Sequence, residues 1–255
     1  MFRPRVIPCL LLKDKGLVKT IKFKDPTYIG DPMNAVKIFN DAKADELVFL
    51  DITATNDGRT PDIDIIRSIG EEAFMPFAVG GGINKIEQVQ ALISAGAEKV
   101  VINTAAIENP PFISEIAEIF GRQSVVVSLD VKKNNGTYII VTNSGKKEHN
   151  LDLIGTVKLM ETSGAGEIII NSIDNDGTQE GFDIELIRMV SQEVNIPVIA
   201  IGGAGSYDDL TEAVIDGAAS AVAAGSLFVF IGRKRAVLIN YPDDEELEEM
   251  FTDLT

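Results

Sequence analysis

The chain has 255 residues, 45% of them hydrophobic, with one histidine, one cysteine and a formal net charge of −16. An acid excess of that size repels nucleic-acid phosphates and anionic lipid, so no nucleic-acid or membrane partner is expected. The lone Cys9 excludes an intrachain disulfide and fits a reducing, cytoplasmic compartment, and the opening apolar run is interrupted by Lys13 and Asp14 too early for a signal peptide.

Short Val/Ile/Leu/Ala runs alternate with amphipathic stretches along the chain. The first strand is expected at 6–12, followed by a long loop over 13–30 carrying Lys13, Lys15, Lys19, Lys22 and Lys24. A helix at 32–43 leads to a strand at 46–51, a helix at 62–72 and a strand at 76–79. Asn84 reads as the cap of a helix over 85–95 that ends at Gly96, before a strand at 99–103. A helix at 111–120 and a strand at 124–131 follow. Asn134-Asn135-Gly136 and the β-rich TYIIVTN mark a hairpin insertion over 132–147. A helix at 151–163 closes on Gly164, then come a strand at 167–170, a helix at 184–193 and a strand at 197–201. Ser206 caps a helix over 207–216, Gly217 ends it, and the last strand spans 219–224. The acidic segment 241–255 reads as a solvated helix face or frayed end.

Near-continuous apolar strands are those of a parallel sheet covered on both faces. Eight of them alternating with helices give a (β/α)8 barrel, one domain over 1–255. The barrel carries an internal repeat, with halves near 1–121 and 122–240. Val79-Gly80-Gly81-Gly82 answers Ile201-Gly202-Gly203-Ala204, and DITATNDG answers NSIDNDG, at an offset of about 120 residues. By that offset Asp130 matches Leu11, so one half offers a carboxylate where its twin offers an isobutyl group.

Barrel chemistry gathers where the strands end. Gly80–Gly82 with Asn103 and Thr104 could cradle one phosphate, and Gly202, Gly203, Gly225 and Ser226 a second, through backbone N–H groups and helix N-termini. Glycine-rich turns needed for geometry alone are the alternative. A small ligand with two phosphate ends follows from the first reading. Asp130 and Asp176 are candidate acid/base groups, with capping or a salt bridge as the alternative. Asp51 and Asp174 could equally orient neighbours. His149, in a polar stretch, is expected in solvent, and Cys9 in the core. No His/Cys cluster has metal-ligand spacing, so neither a metal nor a cofactor is expected. At the opposite ends of the strands stand Arg5, Glu46, Lys99 and Glu167. They are either solvated or turned inward as a neutralised ring.

These residues, with IPCL at 7–10, DELVFLDITA at 45–54, VGGGI at 79–83 and IPVIAIGGAG at 196–205, resemble HisF, the cyclase subunit family of imidazole glycerol phosphate synthase. The resemblance implies a (β/α)8 barrel paired with a HisH-like glutaminase, whose ammonia enters the barrel floor and reacts at the rim with a bis-phosphorylated nucleotide. It makes Arg5, Glu46, Lys99 and Glu167 the ammonia gate. It assigns Gly82, Asn103 and Thr104 to one phosphate and Gly203, Gly225 and Ser226 to the other, with Lys19 on a ligand-contacting loop. Asp130 becomes one of two catalytic aspartates and Asp176 a supporting acid. The departures are Leu11 in place of the second aspartate, Ala78 and Ile201 where Thr and Ser are usual, and Asn171 for another Thr. The segments 7–32 and 228–242 are also similar to HisF-like proteins of surface-polysaccharide clusters, in which ammonia is passed to a separate sugar amidotransferase for acetamidino modification. Three functions stay open: such an ammonia-channelling subunit, a histidine-pathway cyclase-lyase, and a non-catalytic barrel that binds a phosphorylated metabolite.

Overall fold

Eight parallel strands form the frame: β1 (Arg5–Lys13), β2 (Leu47–Asp51), β3 (Phe77–Gly80), β4 (Lys99–Ile102), β5 (Val125–Asn134), β6 (Glu167–Ser172), β7 (Val198–Ile201) and β8 (Ala221–Ala224). Residues 3–232 and 234–252 are described by the computed structural model. Each strand pairs with the next, and β8 pairs with β1, so the sheet closes without an edge. The fold is the expected (β/α)8 barrel. Its seams differ in length: β5 and β6 are in register from Glu167↔Val126 to Ser172↔Val131, whereas β7 and β8 share only Ile199↔Ala221 and Ala200↔Val222.

Alternation along each strand divides the core in two. Val6, Leu10 and Leu12 of β1 face the helices and join the larger cluster. Ile7 and Cys9 face inward, with Val48, Ala78, Val101, Val126, Ile169, Ile199, Ala221 and Ala223. The covering helices are α1 (Pro32–Asp41), α2 (Ile63–Glu72), α3 (Ile86–Ser94), α4 (Pro111–Phe120), α5 (Leu153–Ser163), α6 (Ile184–Ser191), α7 (Tyr207–Ile215) and α8 (Asp244–Met250). Side-chain oxygens of Asp31, Asp62, Asp152, Asp183 and Ser206 accept from the free amides of the first turn, which fixes where five of these helices begin. The acidic tail forms α8 with an Asp243/Glu246 capping box. The end of the expected 241–255 segment, residues 253–255, and the opening Met1 and Phe2 lie outside the described residues.

Five local expectations need correction. The 13–30 loop is a β-hairpin: Gly16–Ile21 pairs antiparallel with both β1 and Lys24–Gly30, around a turn in which Lys22 and Phe23 take φ of 52° and 63°. Asn84 is not the cap of α3. Lys85 occupies that position, and the Gln88 side chain accepts from the amides of both residues. Gly217 does not take the left-handed turn after α7, which falls on Ala218 at φ 56°. A Cβ on Gly217 would lie 2.5 Å from the Ala213 carbonyl oxygen, so close packing, not backbone freedom, favours glycine. The 132–147 insertion is present and larger than expected: β5 continues into an antiparallel ladder with Thr137–Thr142, which pairs in turn with Lys147–His149. His149 is half-buried there and shares a 2.7 Å hydrogen bond with Thr142, so it is not a free solvent-facing group.

Two short rim helices, Ala54–Asp57 and Thr104–Glu108, and a small ladder of Phe230–Ile231 with Ala236–Val237 complete the strand-end face. Among the described residues no helix is long and apolar enough to cross a membrane, and no carboxylate, histidine or cysteine group is placed to hold a metal.

Candidate functional site

The floor is a closed ring of ion pairs. Arg5 bridges Glu46 and Glu167, the latter at 2.9 Å, and Lys99 bridges the same two carboxylates at 2.9 and 3.2 Å. Strand ends bring these four side chains together because each sits on the inward-facing phase of β1, β4, β6 or the residue just before β2. Glu46 is almost wholly buried, at 3% side-chain exposure, and is paired with both Arg5 and Lys99. The ring is the inward-turned alternative, and its two cations and two carboxylates cancel.

The mouth holds a cavity of about 400 Å³. Of the rim residues singled out from the sequence, Asp130, Asp176, Leu11, Lys19, Gly82, Asn103, Thr104, Gly203, Gly225 and Ser226 line it, with Asp51, while Asp174 does not. Asp130 lies on the inward face of β5 and is 9% exposed. Its Oδ1 accepts from Asn171 Nδ2 and its Oδ2 from Asn103 Nδ2, both at 3.1 Å. Burial pushes its carboxyl up to about 7, against the two amide hydrogen bonds that favour the charged form. A carboxyl titrating near neutrality can both hold and release a proton at working pH. Leu11, at the matching level of β1, has no such capacity.

The first hairpin folds over this mouth. Lys19, 5% exposed, reaches inside and donates to the Cys9 carbonyl oxygen. Burial lowers the Lys19 pKa, opposed by the nearby Cys9 and Asp176. Asp176 is raised by burial, with Lys19, the Phe23 amide and the Thr20 hydroxyl pulling the other way. It therefore anchors the hairpin as well as facing the cavity: Lys22 N donates to its backbone oxygen at 2.9 Å. Cys9 is in the core as expected, its thiol pushed up to about 11 by burial, which removes it as a nucleophile near neutral pH.

The remaining acids orient neighbours. Asp51 accepts from Thr53, from the Ala54 amide and from Arg59, while Asp174 accepts from the Lys133 amide at 2.7 Å and fixes the second hairpin. The glycine loops need glycine for conformation whatever they bind. Gly82 has φ 63° and a Cβ there would lie 1.8 Å from the Arg59 carbonyl oxygen, while Gly203 has φ 125° and would meet the Gly181 oxygen at 2.0 Å.

Three features escaped sequence reasoning. Asn171 Oδ1 is buried without a partner, an acceptor facing Gly202 beside Asp130. The second hairpin reaches the first glycine site, where Asn143 N donates to Thr104 Oγ1 and Ser144 Oγ to the Ile52 carbonyl oxygen. Arg235 reaches the opposite site and donates to Ser226 Oγ at 3.2 Å. Only Arg235 had a visible signal, the basic GRKRAV run after a rim turn in an acidic chain.

The profile of the family described as "Histidine biosynthesis protein" matches residues 5–232. The chain belongs to that family. It is 49% identical over 249 residues to the "Putative imidazole glycerol phosphate synthase subunit hisF2" of Pseudomonas aeruginosa, covering 97% of this chain and 99% of the relative. It is 48% identical over 248 residues to the corresponding "hisF3" of Vibrio vulnificus, covering 96% and 95%. A Leptospira borgpetersenii protein named "Putative imidazole glycerol phosphate synthase subunit HisF" is 46% identical over 253 residues, with 98% and 100% covered. In this chain the four floor charges are all paired with one another, and at the mouth Leu11 and Asp130 line one cavity.

Proposed function

We propose that this chain is the synthase subunit of a glutamine amidotransferase: it receives ammonia from a HisH-like glutaminase at the floor and conducts it through the barrel toward a rim that binds a phosphorylated small molecule. The acceptor proposed is a surface-polysaccharide sugar undergoing acetamidino modification by a partner amidotransferase. The observation that carries this reading is the contrast between a complete, mutually paired ring of Arg5, Glu46, Lys99 and Glu167 and a mouth where Leu11 stands opposite Asp130. The apolar interior cluster above the ring favours a neutral passenger such as ammonia over ammonium, because an unpaired ion there would be desolvated without compensation. Passage requires one cation to leave one carboxylate while keeping the other, which the doubly bridged geometry allows. At the upper end, the unpartnered Asn171 Oδ1 offers an acceptor to an arriving N–H donor.

The test is ammonia-dependent cyclase turnover with the histidine-pathway bis-phosphorylated nucleotide, run on the chain and on Leu11→Asp. Losing one acid/base group costs about 10²–10⁴-fold, so the unmodified chain is expected at background and Leu11→Asp above it. Turnover by the unmodified chain would show that Asp130 suffices and would replace this reading with the histidine-pathway cyclase-lyase.

A further inference from the structure

The two glycine-rich rim sites differ in charge. Around Asn103 and Thr104 the side-chain hydrogen-bond donors are already engaged: Asn103 Nδ2 serves the Ser128 carbonyl oxygen and Asp130, and Thr104 Oγ1 donates to Asn103 Oδ1. Lys146, above this site, is exposed and bonded to Asn56. Around Gly225 and Ser226 two cations face the turn, each hydrogen-bonded only to neutral groups, with the Asp176 carboxylate near Lys19. Lys19 Nζ lies where a Cβ on Gly225 would meet it at 2.2 Å, and its one hydrogen bond goes to a carbonyl oxygen. Arg235 approaches from the other side, donating through Nη2 to Ser226 Oγ at 3.2 Å and through Nη1 to the Gly177 carbonyl oxygen at 3.3 Å. Its guanidinium lies 4.6 Å over the Phe230 ring.

Among the described residues no carboxylate pairs with Arg235, although acids outnumber bases 39 to 23 in the chain. A guanidinium has five N–H donors and two are in use, so a fork remains for an anion. Ser226 accepts from Arg235, which leaves its own hydroxyl hydrogen free to donate. Arg235 itself holds φ 50° in the tight turn of the Phe230–Ile231 and Ala236–Val237 ladder. A left-handed conformation in a non-glycine residue is strain that the surrounding contacts sustain.

We propose that Arg235 is a ligand-binding residue of this second site and that, with Lys19 and Ser226, it makes the site select a dianionic phosphate monoester end. The inference rests on the phosphate reading of the rim. It assigns the two ends of a bis-phosphorylated ligand unequal roles: the end at Gly225-Ser226 is held by charged side chains, the end at Asn103-Thr104 by uncharged backbone groups.

The experiment is titration of the full chain with inorganic phosphate at pH 8, followed by calorimetry and by ³¹P line broadening, for the unmodified chain, Arg235→Gln and Arg235→Lys. A hydrogen bond to a charged group corresponds to roughly tenfold to a hundredfold in affinity, so Arg235→Gln is expected to weaken phosphate binding by that factor. Arg235→Lys keeps the charge without the fork and is expected to fall between the two. Binding by the unmodified chain with both variants unchanged would overturn the role of Arg235 and leave the phosphate reading standing. No phosphate binding by the unmodified chain would overturn the phosphate reading itself. If Arg235→Gln fails to fold, Arg235→Lys decides alone: affinity equal to that of the unmodified chain overturns the proposal.

Discussion

Floor and mouth of one barrel treat buried charge in opposite ways. At the floor each carboxylate has two cations, and the ring is neutral as a unit. At the mouth Asp130 has two amides and no cation hydrogen-bonded to it, so desolvation goes largely uncompensated and the carboxyl titrates near 7. Both groups sit on inward-facing strand positions only a few residues from the strand ends. What separates them is the partner. Paired charge yields a closed, neutral ring, while the unpaired Asp130 is a group that can change its protonation state.

The comparison predicts a pH-dependent stability set at the mouth. The folded chain holds the Asp130 proton where the unfolded chain, with an ordinary aspartate near 3.9, has lost it. This contribution to stability is complete below about pH 4 and is lost as pH rises through about 7, a change on the order of 4 kcal/mol. Urea unfolding of the chain and of Asp130→Asn across pH 4 to 8 isolates it as the difference in slope; equal slopes would place Asp130 in a solvated environment. Next in size, Glu46→Gln leaves Arg5 and Lys99 sharing one carboxylate and is expected to cost roughly 3 kcal/mol in the same assay at pH 7. A cost within error would mean that water screens the ring. The smallest effect sharpens the point about burial. Lys43 and Asp244 form an exposed pair at 3.0 Å, and Lys43→Gln should change stability by no more than about 0.5 kcal/mol.

Much of this was legible in the chain. The eight barrel strands fall within two residues of the apolar runs at most starts, because parallel strands buried on both faces leave an unbroken hydrophobic signature. The rim residues converge on one cavity because strand ends do so in any barrel. The first hairpin was illegible: its lysines mask a ladder whose turn relies on Lys22 and Phe23 in left-handed conformations that neither residue favours. The Asn171 acceptor could not be anticipated, since which amide atom lacks a partner depends on Asp130 claiming the other. The floor charges could be located but not oriented from sequence. Their direction follows from the phase of each strand, which one residue of slip would invert.

The short β7–β8 seam gives the barrel a preferred place to breathe. A closed sheet has no edge from which to unravel, so opening must begin by parting two neighbours, and this pair shares the fewest rungs. The Gly202-Gly203 and Gly225-Ser226 turns are the ends of those same two strands. An anion gripped by both turns would act as a clasp across the seam, tying occupancy of the mouth to how often the wall beside it parts.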